Sequence, residues 1–306
     1  MIYTLTTNPA IDMNICSDSI EEGRVNRTSD AVYTPNGKGL NVSFVLGHYG
    51  VKSKITGFFG GFSGEYIVKE SEKRGFEVVP IWVEDTTRIN IFLNDGRQEY
   101  KFVNEGSFIP EDKQDELIRL IRNADDMEVL SISGSLPRGV EPDYYDRILA
   151  ECEQKGTKVI LDISSHKLKE LLRFHPILIK PNDEEIEQIF GIQMKNETDI
   201  VSVLDMLHKE GAENVLLTLG DRGAYFSNGS DIYFADTYPI KLLSSACAGD
   251  SALAAFLSVW LKDETQIEEA LKLSAATGAN VAESPGIGDL KQVDTYKEKI
   301  QVRKVR

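Results

Sequence analysis

Ser244-Ser245-Ala246-Cys247-Ala248-Gly249-Asp250-Ser251 runs straight into the apolar helical stretch Ala252 to Leu261, and what happens at this join governs the reading of the whole chain. Small side chains let backbone amides close on an anion. A helix beginning at about Asp250 aims its free N–H groups and the positive end of its dipole into the same space, which suits the charge of a moving phosphoryl group. Asp250 then stands beside an anion hole, where a carboxylate can take the proton of an attacking hydroxyl, a role contributing about 10²–10⁴-fold in rate. Cys247, Ala248, Gly249 and Asp250 are therefore the catalytic candidates. The plainer alternative is that Asp250 only caps the helix.

Outward from this octet, β-rich runs alternate with helical ones. Strands are expected over Ile2 to Thr7, Val129 to Ser133, Val159 to Ile163, Ile177 to Lys180 and Val215 to Leu219, and helices over Gly39 to Tyr49, Tyr144 to Cys152 and Gln266 to Ser284. Such alternation predicts an α/β fold on a largely parallel sheet. Ile11 to Tyr33 and Ile81 to Val103 break the rhythm with polar-alternating stretches, expected to pair as a separate four- or five-stranded flap over the mouth of the core. The basic tail from Lys297 to Arg306 reads as a solvated surface element.

Three further loops carry chemistry. Pro35-Asn36-Gly37-Lys38-Gly39-Leu40-Asn41 opens a helix, with glycines permitting close approach and Lys38 and Asn41 supplying a charge and a two-way hydrogen-bonder. It lacks the GxxxxGK[ST] pattern, so it is not a Walker A loop. Lys180-Pro181-Asn182-Asp183-Glu184-Glu185 follows a strand, where α/β folds bind ligands. There Asn182 and Glu185 share one side of a helical turn and can hold Mg²⁺ through water, or merely complement the helix dipole. Thr218-Leu219-Gly220-Asp221-Arg222-Gly223 is a glycine-punctuated loop after a strand, or a simple hairpin entry.

Composition narrows the field. The 306 residues carry 34 Lys and Arg against 49 Asp and Glu, a formal charge of −15 that repels nucleic acid and anionic membrane. A small anionic ligand in one cationic cleft is still allowed. Three scattered cysteines suit a reduced cytoplasmic chain, the four histidines show no metal-ligand spacing, and no leader or membrane span is expected. The absence of GxGxxG after the first strand argues against a nicotinamide oxidoreductase.

Taken together and in order, these loops resemble the ribokinase-like PfkB family of carbohydrate kinases. The resemblance runs nearly end to end: Thr7-Asn8-Pro9-Ala10-Ile11-Asp12, the Gly37-Lys38-Gly39 turn with Asn41, Gly57-Phe58-Phe59-Gly60-Gly61, Thr87-Arg88-Ile89-Asn90, Ser133-Gly134-Ser135-Leu136-Pro137, Lys180-Pro181-Asn182 and Ala248-Gly249-Asp250-Ser251. It implies a single domain over residues 1–306, a three-layer α/β/α sandwich with a mostly parallel central sheet and a small β lid from segments near 11–35 and 81–104. It implies ATP-dependent phosphorylation of a phosphorylated ketohexose, with fructose 1-phosphate to fructose 1,6-bisphosphate first and tagatose 6-phosphate or another sugar second. By the same resemblance Asp12, Gly37, Lys38, Asn41 and Arg88 line the sugar-phosphate site, and Arg27 in the flap reaches the substrate of a neighbouring subunit; a homodimer through the lid is expected because the flap sheet must bury a face. ATP lies along Lys180, Asn182, Thr218, Gly220, Asp221, Gly223, Ser245, Gly249, Asn280 and Ser284, with Mg²⁺ near Asn182 and Glu185.

Two departures stand out. The family writes Gly-Ala-Gly-Asp where this chain has Cys247, and Gly-Gly-Lys-Gly where it has Asn36. Asn tolerates left-handed backbone, so the second change is mild. Cys247 is not, and it raises the contrary reading of a sugar-phosphate-binding protein that transfers slowly; retained Asp250, Lys38 and Arg88 speak against it.

Overall fold

The computed structural model describes residues 1–306, with two sheets and ten α-helices. The large sheet contains β1 (Ile2–Thr6), β4 (Ser53–Gly60), β5 (Glu77–Val83), β8 (Val129–Ser133), β9 (Lys158–Asp162), β10 (Leu178–Ile179), β11 (Val215–Thr218), β12 (Ala224–Ser227), β13 (Ile232–Ala235) and β14 (Val302–Lys304). Its order is β14-β13-β12-β11-β10-β9-β8-β1-β4-β5, parallel from β11 to β5 and antiparallel from β11 to the β14 edge. The small sheet contains β2 (Ala10–Cys16), β3 (Ser29–Asn36), β6 (Arg88–Asn94) and β7 (Glu99–Phe102), in the order β3-β2-β6-β7.

The helices are α1 (Lys38–His48), α2 (Gly61–Lys73), α3 (Glu111–Asn123), α4 (Tyr144–Lys155), α5 (Leu168–Leu171), α6 (Asp183–Phe190), α7 (Glu197–Glu210), α8 (Ala248–Trp260), α9 (Ile267–Ala282) and α10 (Val293–Lys297). Strand side chains alternate between two cores, as the period of two requires. Leu130, Ile132, Val159 and Leu161 pack with α3, α4 and α7, whereas Val129, Ile160, Leu178 and Leu216 pack with α1, α8 and α9. This is the expected α/β/α sandwich with a small second sheet. A third cluster, Ile11, Leu40, Phe44, Ile55, Phe59, Ile67 and Val68, ties the base of the small sheet to α1, α2 and β4.

Two expectations need correction. Ile81 to Val83 belongs to the large sheet, not the flap: Phe58 pairs with Ile81 and Gly60 with Val83, and burial of Ile81 and Val83 on that pairing outweighs continuity with the later lid strands. The basic tail is not merely a solvated end. Val302–Lys304 closes the sheet edge against β13, and Arg306 is bidentate to Asp205.

Candidate functional site

The chain turns into α8 at Cys247, whose φ of +64° puts a non-glycine residue in the left-handed region. Helix α8 starts at Ala248, two residues earlier than expected, so Asp250 lies inside its first turn and makes no side-chain cap bond. Capping is thus not its role. The amides of Gly249 and Asp250 have no backbone acceptor and remain free for an anion. Lys180, at the end of β10, approaches the same turn: a Cβ built on Gly249 would sit 3.5 Å from its Nζ.

Asp250 is buried and accepts from Asn41 Nδ2 at 2.9 Å. Burial, reinforced by repulsion from Asp162 and partly offset by Lys38, pushes its carboxyl up to about 6. A carboxylate poised there is ionised at neutral pH yet basic enough to accept a proton. Asp162, which the sequence reading missed, ends β9 wholly buried between two lysines: Lys180 Nζ at 3.0 Å and Lys38 Nζ at 3.7 Å from Oδ1. Burial works to raise its carboxyl, but Lys180 and then Lys38 outweigh this and hold it below the ordinary range. Lys38 is correspondingly raised, chiefly by Asp162. The available signal was an acid closing the apolar run Val159-Ile160-Leu161 at a strand's C-terminal end.

The small sheet supplies the other wall. Its register sets Ala10 beside Arg88 and Asp12 beside Asn90. Asp12 accepts from Asn90 Nδ2 at 2.9 Å and from Asn36 Nδ2, and burial raises its carboxyl against the opposing effect of those two bonds and of Arg88. Arg88 donates to the carbonyls of Asn8 at 3.1 Å and Asn104 at 3.2 Å. Between these walls lies a cleft of about 190 Å³ lined by Thr6, Asn8, Gly37, Lys38, Arg88, Ser133, Gly134, Ser135 and Ser164, with no hydrophobic side chain. Thr6 Oγ1, Arg88 Nε, Asn90 Oδ1 and Ser133 Oγ are buried in or beside it without hydrogen-bond partners. Buried polar atoms are seldom left so, and their clustering here marks the place of a polar, anionic ligand.

Gly37, Lys38, Asn41, Arg88, Asp12 and Asp250 are therefore brought together as expected. Arg27 is not among them. It lies in the exposed loop between β2 and β3, away from the lining of the cleft. Thr218 bridges Asn182, and Gly220 to Arg222 form a short 3-10 turn in which Asp221 is exposed. Gly223 packs so closely on Ala235 that a side chain would strike its carbonyl. The segment carrying Ser245 is pinned where Leu243 N and Ser244 N donate to Ala282 O, next to Asn280 and Ser284. Asn280 Oδ1 is a buried acceptor with no partner there.

Asn182 and Glu185 form a capping box: Asn182 Oδ1 accepts from Glu185 N at 2.8 Å and Glu185 Oε2 from Asn182 N at 3.0 Å. Glu185 Oε1 also accepts from Ser164. No three His, Cys, Asp or Glu side chains converge on a metal position. This donor set fits a Mg²⁺ held chiefly by water and phosphate oxygens, the habit of that ion, and not a protein cage.

A wholly polar, cation-walled cleft at the ends of parallel strands, facing a helix N-terminus and a raised carboxylate, is the apparatus of an α/β enzyme that handles phosphorylated, hydroxyl-rich small molecules. The chain belongs to the pfkB family of carbohydrate kinases, whose model matches residues 5–293. It is 47% identical to a D-tagatose-1-phosphate kinase of Klebsiella oxytoca over 99% of both chains, and 32% identical to a 1-phosphofructokinase of Bacillus subtilis over the full length of both. Among solved structures, the tetrameric inhibited form of Escherichia coli phosphofructokinase-2 superposes with a TM-score of 0.88 at 25% identity, covering 97% of this chain and 98% of that one. Kinases of this family take the phosphoryl group from ATP. No helix is long and apolar enough to cross a membrane.

Proposed function

We propose that the protein transfers the γ-phosphoryl group of ATP to the free 6-hydroxyl of a ketohexose 1-phosphate, giving the 1,6-bisphosphate and ADP. The observation that carries this is the cationic, wholly polar cleft with orphaned polar atoms beside the raised carboxylate of Asp250. Lys38 and Arg88 bind the sugar's phosphate as charge-assisted partners. Asp12 and Asn41 orient its hydroxyls, and Asp250 accepts the proton of the attacking one. Free amides of Gly249 and Asp250, with Lys180, meet the charge of the moving group. Positioning and neutralisation supply most of the rate in such transfers. Asn280, Ser284, Ser245 and the Thr218 to Gly223 turn cradle the nucleotide. Mg²⁺, held through water near Glu185 and Asn182, would neutralise nucleotide phosphates when bound.

The closer relation to a tagatose-1-phosphate kinase, 47% against 32% for the 1-phosphofructokinase, puts D-tagatose 1-phosphate ahead of fructose 1-phosphate, the substrate first expected. The two differ only at C4 and offer the same 6-hydroxyl. A coupled ADP-release assay over both 1-phosphates, both 6-phosphates and the free sugars tests this. Turnover highest with a ketohexose 1-phosphate supports it; a preference for a 6-phosphate or a free sugar overturns it. Arg88→Ala should raise KM for the sugar phosphate about 10–100-fold, the loss of one charge-assisted contact. A homodimer is proposed through the lid, which exposes Val32, Tyr33, Phe102 and Val103, with the cytoplasm as its compartment.

A further inference from the structure

Asn36 and Cys247, the two residues standing where the resemblance expects glycine, meet on one atom. Asn41 Nδ2 lies 2.8 Å from Asn36 Oδ1, 2.9 Å from Asp250 Oδ2 and 3.3 Å from Cys247 Sγ. Its amide has two hydrogens for three acceptors. Asn36 Oδ1, which also accepts from Gly37 N at 2.6 Å, takes one of them and leaves the other for Asp250, with the thiol as the weakest competitor. The far end of the Asn36 side chain, Nδ2, donates to Asp12 Oδ2, while Asn90 Nδ2 holds Oδ1. Only one orientation of each amide satisfies these contacts. The result is a directional chain, Asp12 carboxylate to Asn36 amide to Asn41 amide to Asp250 carboxylate.

We propose that Asn36 is a positioning residue for the transfer, acting through Asn41: it links the carboxylate that faces the sugar to the carboxylate that takes the proton, and so fixes the orientation of Asp250. The proposal rests on the assignment of Asp250 as base given above. Asn36 does not need contact with the nucleotide to act, and its backbone is ordinary strand at the end of β3, so its side chain can be removed without backbone strain. The charged and titratable groups around the chain are Arg88 from the small sheet, Lys38 from α1, Asp162 and Lys180 from the strand ends, and Cys247 before α8.

The test is steady-state kinetics with a ketohexose 1-phosphate and ATP across pH, with thermal melts showing each variant folded. Asn36→Ala should lower kcat about tenfold with KM for ATP unchanged, the size of one lost orienting hydrogen bond. Added to Asn41→Ala, it should cost no further turnover, because residues acting in series are not additive. Asn36→Asp replaces the donor facing Asp12 with a carboxyl oxygen and adds a negative charge near Asp250, so the acidic limb of kcat should move up by about one pH unit. The proposal is overturned if Asn36→Ala keeps kcat within about twofold, if its effect multiplies that of Asn41→Ala, or if Asn36→Asp leaves the acidic limb in place. Near-full turnover of Asp250→Asn would instead overturn the base assignment, a result these comparisons read separately.

Discussion

At the scale of single residues, burial decides what Asp250 and Cys247 can do. Asp250 rises from 3.8 to about 6 because it is buried and near Asp162. As a base it works only when ionised, so kcat should climb as pH rises through about 6. Asp250→Asn should cut kcat by about 10²-fold or more and leave nucleotide affinity alone, because a base acts in the transition state. The same shift sets a stability signature. The unfolded chain loses this proton near 3.8 and the folded one near 6, so folding is penalised progressively between those values and fully above them. Thermal melts should therefore show Asp250→Asn more stable than the parent at neutral pH, with the gain vanishing below about pH 4. At Cys247 the left-handed backbone costs roughly 1–2 kcal/mol relative to glycine. Restoring glycine should leave kcat unchanged or raise it; a large fall would mean the loop depends on the Sγ contact to Asn41. Burial and the neighbouring Asp250 push this thiol up to about 12, which makes thiolate scarce, so thiol reagents should modify it slowly at neutral pH.

At the scale of elements, the site is built where helices start against strand ends. Gly39, in the first turn of α1, packs against β1 so tightly that an added Cβ would lie 2.8 Å from Leu5 O. Backbone cannot yield cheaply. Gly39→Ala should destabilise the fold by about 1–3 kcal/mol in denaturant titrations and displace Lys38 and Asn41, which follow from that turn; an unchanged midpoint would contradict this packing. The glycine pattern made this turn legible. The Asn182 box was legible only as two competing readings, and structure shows the cap bonds in place because both partners lie within one turn of α6. Asp162 was legible only as an acid closing an apolar strand, since nothing local in β9 tells that two lysines from distant segments converge on it.

At the scale of the whole molecule, the lid carries the proposed assembly. Tyr33 on β3 and Phe102 on β7, which the register through Met13 and Ile91 places on one face of the small sheet, are about half exposed, and apolar side chains on an uncovered sheet face favour association. Tyr33→Lys with Phe102→Lys should shift the proposed dimer to monomer in sedimentation; an unchanged mass in both parent and variant would place the interface elsewhere. The sequence by itself determined the α/β alternation, the separate small sheet and the loops that carry Lys38, Asn41 and Asp250, because strand and helix periods and glycine-bearing turns are local properties, while the sandwich and the place of Arg88 came with the family resemblance. Only the tertiary structure decided which sheet Ile81 to Val83 joins, that the tail ends as an edge strand, and that Asp12, Asn36, Asn41 and Asp250 form one hydrogen-bonded line. Those outcomes depend on pairing and burial between segments far apart in the chain, where the free energy of contact is set by neighbours that no local pattern names.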